Sequence, residues 1–181
     1  MTKLILLLFS MTLFSCGQKG AGETAAPITE VKKASTTTAP SFNADSAYAY
    51  VEKQVSFGYR VPNTPAHKAC GDYLVSELKR FGAQVYEQEA TLKAYDGTPL
   101  ESRNIIGSFN PDKDKRILLF AHWDTRPYSD HDPDPANHKK PLDGADDGAS
   151  GVGALLEIAR QMGMKAPEVG VDIIFFDAED Y

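Results

Sequence analysis

Arg116-Ile-Leu-Leu-Phe-Ala121 leads into His122-Trp-Asp124, and Val171-Asp-Ile-Ile-Phe-Phe176 leads into Asp177-Ala-Glu179-Asp180. Each is an apolar run of strand length that stops at a group of metal-ligating residue types. Between them, Gly144-Ala-Asp146-Asp147-Gly148-Ala-Ser150-Gly151 opens a helical pattern with Val152, Leu155, Leu156, Ala159 and Met162 on one face. A strand, a helix and a strand in that order predict a right-handed crossover between parallel strands, and so an α/β fold. In an open α/β sheet, ligands collect beyond the carboxyl ends of the strands, so the three polar clusters are expected to converge.

Working outward, the run Arg116 to Ala121 has no polar interruption and is expected to be a buried strand. Val85 to Leu92 and Ser102 to Ser108 suit two further strands, with Tyr95-Asp96-Gly97 turning the chain between them. Thr64 as cap and Pro65 at the first helical position start a helix that Gly82 ends. An earlier helix is expected from Asp45 as cap, with Ala47, Tyr48, Val51 and Val55 recurring at helical spacing.

The first 15 residues hold Lys3 and then Leu4-Ile-Leu-Leu-Leu-Phe9, too short an apolar stretch to span a bilayer and in keeping with a secretory signal. Leu13-Phe-Ser-Cys16 resembles the bacterial lipoprotein signal, in which the cysteine is lipidated; plain secretion is the alternative. Residues 16–41 are rich in Gly, Ala, Thr and Pro and read as a flexible tether, and the folded part is expected over 42–181. The expected location is the bacterial cell envelope, lipid-anchored through Cys16 and facing the periplasm or the outer membrane.

Of the 181 residues, 42% are hydrophobic and 24% charged, which fits a globular chain. The net charge of −6 offers no basic patch for nucleic acid. With two cysteines, Cys16 and Cys70, no disulfide framework can be read; Cys70 shares a predicted helix face with Leu74 and Leu78 and is expected to be a buried, inert thiol.

His122 and Asp124 flank Trp123, so on a continuing strand both face one side: an imidazole oriented by a carboxylate, or a loop histidine beside a capping aspartate. On the residues alone, Asp146 and Asp147 read first as part of a helix-capping segment with Ser150, and in second place as ligands for a cation. Glu179 and Asp180 are the sharper pair, because adjacent acids at a strand end can divide metal binding from proton transfer. Asp130, Asp132 and Asp134 alternate like a calcium loop, but Pro133 and Pro135 interrupt them, and a solvated insertion with His131 and His138 unliganded is expected.

Taken together, Ala121-His122-Trp-Asp124-Thr125, Gly144-Ala-Asp-Asp147-Gly-Ala-Ser-Gly151 and Phe175-Phe-Asp-Ala-Glu179-Asp180 resemble the M28 zinc aminopeptidases, and within them the glutaminyl cyclases. Arg60-Val-Pro62 and Ser102-Arg-Asn104-Ile-Ile106 look like that branch too. The resemblance implies a mixed, centrally parallel sheet with helices on both faces, of which 42–181 is the N-terminal portion. It implies zinc on Asp147 and Asp180, Glu179 as the proton shuttle, His122 as a ligand of a second metal where there is one, and Asp124 as the partner of His122. One zinc is implied for a cyclase and two for an aminopeptidase. The implied substrate is a peptide or protein with N-terminal glutamine, cyclised to pyroglutamate with loss of ammonia. An M28 aminopeptidase and a non-catalytic envelope lipoprotein are the alternatives. Relatives continue well past the position of Tyr181 and there supply a third zinc ligand, a histidine, and a further catalytic acid; the chain as given is therefore expected to be inactive alone.

Overall fold

Local capping chemistry sets where the helices begin. In this computed structural model, which describes residues 39–181, Asn43 caps helix α1 (Ala44–Val55) by accepting from the Ser46 amide. The cap lies two residues before the expected Asp45, because the Asn43 side-chain oxygen reaches that amide and leaves Asp45 in the first turn, where a negative charge favours the helix dipole. The fully buried side chain of α1 is Gln54, whose amide donates to the Ala149 carbonyl, whereas Tyr48 is exposed. Helix α2 (Pro65–Arg80) begins as its sequence predicts, with Thr64 as cap and Pro65 at the first position. Helix α3 (Ala149–Met164) is different: Gly148 stands at its cap position and no side chain caps it.

Four strands, β1 (Gln84–Lys93), β2 (Pro99–Phe109), β3 (Arg116–His122) and β4 (Gly170–Phe176), form one sheet in the order β1-β2-β4-β3. The β1·β2 and β2·β4 pairs are antiparallel, and β3·β4 is the parallel pair that the crossover through α3 predicts. The mixed α/β sheet of the sequence reading is thus present. Of the two helical layers expected, the described residues supply one. Ile105, Phe109, Val171, Ile173 and Phe175 share a sheet face with Leu119 and Ala121, and α2 and α3 pack there through Cys70, Leu74, Leu78, Val152, Leu155, Leu156 and Ala159. Burial pushes the Cys70 thiol up to about 12, so it is the inert core group expected.

The expectation of a buried strand over Arg116–Ala121 needs correction. Among the described residues β3 is an edge strand, paired only with β4, and Phe120 on the face turned away from α3 is 64% exposed. An unbroken apolar run suits a strand covered on both faces; in the described residues α3 covers only the face of Leu119 and Ala121. The signal segment, most of the tether and the lipidation candidate Cys16 lie outside the described residues.

Candidate metal centre

Three chain segments bring the polar clusters together. The parallel pairing of β3 and β4 ends at His122 opposite Phe176, and one more bond, from the Trp123 amide to the Phe176 carbonyl (2.9 Å), carries the two strand exits forward side by side. Alternation then sends Trp123 into the core, fully buried, while His122 and Asp124 turn to the other side. His122 Nδ1 lies 3.5 Å from Asp124 Oδ1, and Nε2 lies 3.0 Å from Asp147 Oδ1. The shared side read from the spacing of His122 and Asp124 is therefore present.

The loop before α3 delivers Asp147. Its carboxylate faces His122 and caps nothing, so the helix-capping reading of this segment fails in the structure. The close approach needs Gly148, which sits at φ 86°; a β-carbon there would stand 3.1 Å from the Asp124 carbonyl and 3.2 Å from the His122 ring. Gly144, at φ 58°, is tighter, because a β-carbon would stand 2.4 Å from Thr125 and 2.9 Å from the Arg60 guanidinium. Arg60 is fully buried and donates to the carbonyls of Trp123 (3.1 Å), Asp143 (2.9 Å) and Gly144 (2.8 Å). It ties the β3 exit to the Asp147 loop.

Asp124 does more than face His122. Its two carboxylate oxygens accept from the amides of Glu179 (3.2 Å) and Asp180 (3.1 Å), so it also holds the backbone of the β4 exit. One ligand atom from each of His122, Asp147 and Asp180 then lies within 4.8 Å of the others. Glu179 is exposed beside them, and Glu179 and Asp180 line a cleft of about 520 Å³ with Tyr95, Arg126, Tyr128 and Tyr181.

The donor set fits a divalent cation. Burial and then the charges of Asp147 and Asp124 hold the Asp180 carboxyl above the usual carboxylate range. The Asp124 carboxylate beside Nδ1 raises His122 to about 9, against the lowering effect of its burial, so without a cation a protonated imidazole offsets the crowded acids. Nδ1 is buried with no well-formed hydrogen bond and points at Asp124. With the proton on Nδ1, the Nε2 lone pair is left facing Asp147 and Asp180, which is the tautomer a metal-ligating histidine needs.

The insertion loop does not join this group. Asp130 pairs with Arg126, Asp132 accepts from the Asp134 amide, and Asp134 accepts from Ala136 at the start of a short 3-10 turn (Pro135–Asn137). His138 contacts the Asp132 carbonyl. Two residues that support the site were not singled out by side chain from the sequence: His67 on α2, bound to Asp177 at 2.8 Å, and the buried guanidinium of Arg60. Only the buried environment reveals them.

Residues 104–181 match the model of peptidase family M28. Among solved structures, the chain resembles a Zn-dependent exopeptidase of Parabacteroides distasonis (80% identity, TM-score 0.78) and a glutaminyl cyclase of Tannerella forsythia (68%, 0.78). It also resembles a glutaminyl cyclase of Bacteroides thetaiotaomicron bound to N-acetylhistamine (64%, 0.78). Each alignment covers 78% of this chain and 49% of the other, so the chain spans about half the length of these proteins.

Proposed function

We propose that the full-length protein is a zinc-dependent glutaminyl-peptide cyclotransferase, acting on peptides or proteins with N-terminal glutamine. The observation that carries this reading is the convergence of His122, Asp147 and Asp180 beside Glu179, in a chain 64 and 68% identical to two glutaminyl cyclases. In this reading Asp147 and Asp180 hold zinc, with His122 reaching the same point, and further ligands come from the remainder of the protein. Zinc, when bound, supplies Lewis-acid polarisation of an acyl oxygen. Glu179 takes the proton from the α-amine as it attacks its own γ-carboxamide, and returns it to the nitrogen that leaves as ammonia. Asp124 fixes the His122 ring and, through the amides of Glu179 and Asp180, the direction in which that base points.

The second reading, an M28 aminopeptidase with two metals, is favoured by the 80% identity to an exopeptidase. There Glu179 would take the proton of a water molecule that attacks the first peptide bond. Incubating the full-length protein with Gln-initiated and Leu-initiated peptides, with and without a chelator, separates the two. Loss of one ammonia from the Gln peptide, blocked by the chelator, supports the cyclase; release of a free amino acid supports the peptidase; no change in either peptide would leave a binding lipoprotein. We also propose a lipid anchor on Cys16 in the bacterial envelope, which acyl-chain labelling of the wild type but not of Cys16→Ser would support.

A further inference from the structure

The turn that carries Glu179 and Asp180 has a conformation that its own residues disfavour. Ala178 sits at φ 58°, in the left-handed region where a β-carbon crowds the neighbouring carbonyl. Such an outlier persists only where its surroundings over-determine it, and it is most informative beside a site. Here the surroundings are named. Asp177 is buried, and its carboxylate accepts from the amides of Arg103 (2.7 Å) and Ala178 (2.8 Å). Both of its oxygens also contact His67 Nε2, at 2.8 and 2.9 Å, and its own amide donates to the Asn104 side chain at 2.9 Å.

His67 is buried as well, with its ring stacked on Trp123 at a centroid distance of 4.2 Å. The pair therefore joins α2, β2 and both strand exits at the residue just before the strained turn. Stability alone is a weak reason for a buried imidazole and carboxylate, since apolar side chains of similar volume often fill such a place equally well. What apolar side chains could not do is accept the Ala178 amide and hold the backbone at positive φ.

We propose that His67 and Asp177 are a positioning pair: they enforce the left-handed turn at Ala178 and so direct Glu179 and Asp180 toward His122 and Asp147. The pair acts on one side of the turn and Asp124 on the other. The consequence for activity rests on the roles given above to Glu179 and Asp180; the consequence for the turn does not.

The test uses full-length protein and two readouts: hydrogen exchange at the Glu179 and Asp180 amides without metal, and kcat and KM with it. His67→Leu and the nearly isosteric Asp177→Asn are each expected to speed exchange at those amides about tenfold and to lower kcat about ten- to a hundredfold, with KM moving less than about threefold. His67→Gln, which keeps an N–H for Asp177, should recover part of the loss. So should the double variant His67→Leu with Ala178→Gly, because glycine adopts positive φ without the β-carbon penalty. Unchanged exchange in both His67→Leu and Asp177→Asn would overturn the proposal. So would equal kcat losses in His67→Leu, His67→Gln and the glycine double variant, which mark general packing damage. If His67→Leu does not fold, Asp177→Asn with and without Ala178→Gly carries the same outcomes. Faster exchange together with full turnover in Glu179→Gln would leave the pair standing and remove the functional reading instead.

Discussion

Two acidic regions of this chain look alike as composition and differ as chemistry. In the insertion, Asp130, Asp132 and Asp134 give their oxygens to local donors: the Arg126 guanidinium and the amides of Asp134 and Ala136. These partners hold Asp130 and Asp132 below the usual carboxylate range, Asp130 chiefly through Arg126 and Asp132 chiefly through the Asp134 amide. At the strand exits, Asp147 and Asp180 have no such donors besides His122 among the described residues, and the Asp180 carboxyl is raised by burial and by neighbouring acids. Acceptor capacity spent on the protein makes a turn, and acceptor capacity left unspent where acids crowd together makes room for a cation.

The hardest test of this contrast is at Glu179, the acid proposed to move a proton. Glu179→Gln in the full-length protein is expected to lower kcat by about 10² to 10⁴ while metal content stays as in the wild type. Metal analysis alongside single-turnover kinetics checks both halves, and a variant that loses its metal would make Glu179 a ligand instead. Next comes a paired comparison across the two regions. Asp147→Asn should weaken zinc binding by at least about tenfold, whereas Asp132→Asn should leave it unchanged. Competition titration with a chromophoric chelator reads both variants, and equal effects would erase the distinction drawn here.

A smaller effect is expected at Gly148, which lets α3 begin against the His122 ring. Ala at this position must adopt φ near 86° and press on the Asp124 carbonyl, so Gly148→Ala should destabilise the metal-free protein by about 1–2 kcal/mol. Denaturant unfolding measures this, and an unchanged midpoint would mean that the loop can relax away from His122.

The strand exits were legible because an apolar run announces a strand and the polar residues at its end announce an edge. His122, Asp124, Glu179 and Asp180 were found in that way, and Asp147 in the glycine-flanked segment ahead of α3. Whether Asp147 faces a cation or caps α3 could not be read from the residues alone, because both uses place an acid before a helix; among the described residues no side chain caps α3, which removes the second use. The contacts of His67, and of Arg60 although Arg60-Val-Pro62 carries part of the resemblance, were closed to sequence reading for another reason. Their partners lie far along the chain, Asp177 being 110 residues from His67 and Gly144 84 residues from Arg60. No local pattern encodes such a bond. The exposure of β3 was equally illegible, since Ile117-Leu-Leu-Phe120 reads the same whether one face of the sheet is covered or two.

A third carboxylate carries the comparison to its limit and gives the smallest of these effects. Glu157 on α3 is fully buried, yet it accepts from the Asn43 amide, from two nitrogens of Arg160 and from the Gln161 side chain. Its oxygens are wholly spent, and the Arg160 hydrogen bonds, opposed by burial, lead in lowering its pKa from 4.5 to about 2. A carboxyl whose folded pKa lies below its unfolded value binds fewer protons in the folded state, so it stabilises the fold above the unfolded pKa. That contribution should be fully present above about pH 4.5 and fade as the pH falls toward 2. Comparing denaturant midpoints of the metal-free wild type and Glu157→Gln across this range isolates it, because the other acids titrate in both proteins. The difference between the two should be flat near neutrality and shrink steadily in acid. A difference independent of pH would show that Glu157 holds α1 to α3 by shape and neutral hydrogen bonding alone, and that spent acceptors need not be charged ones.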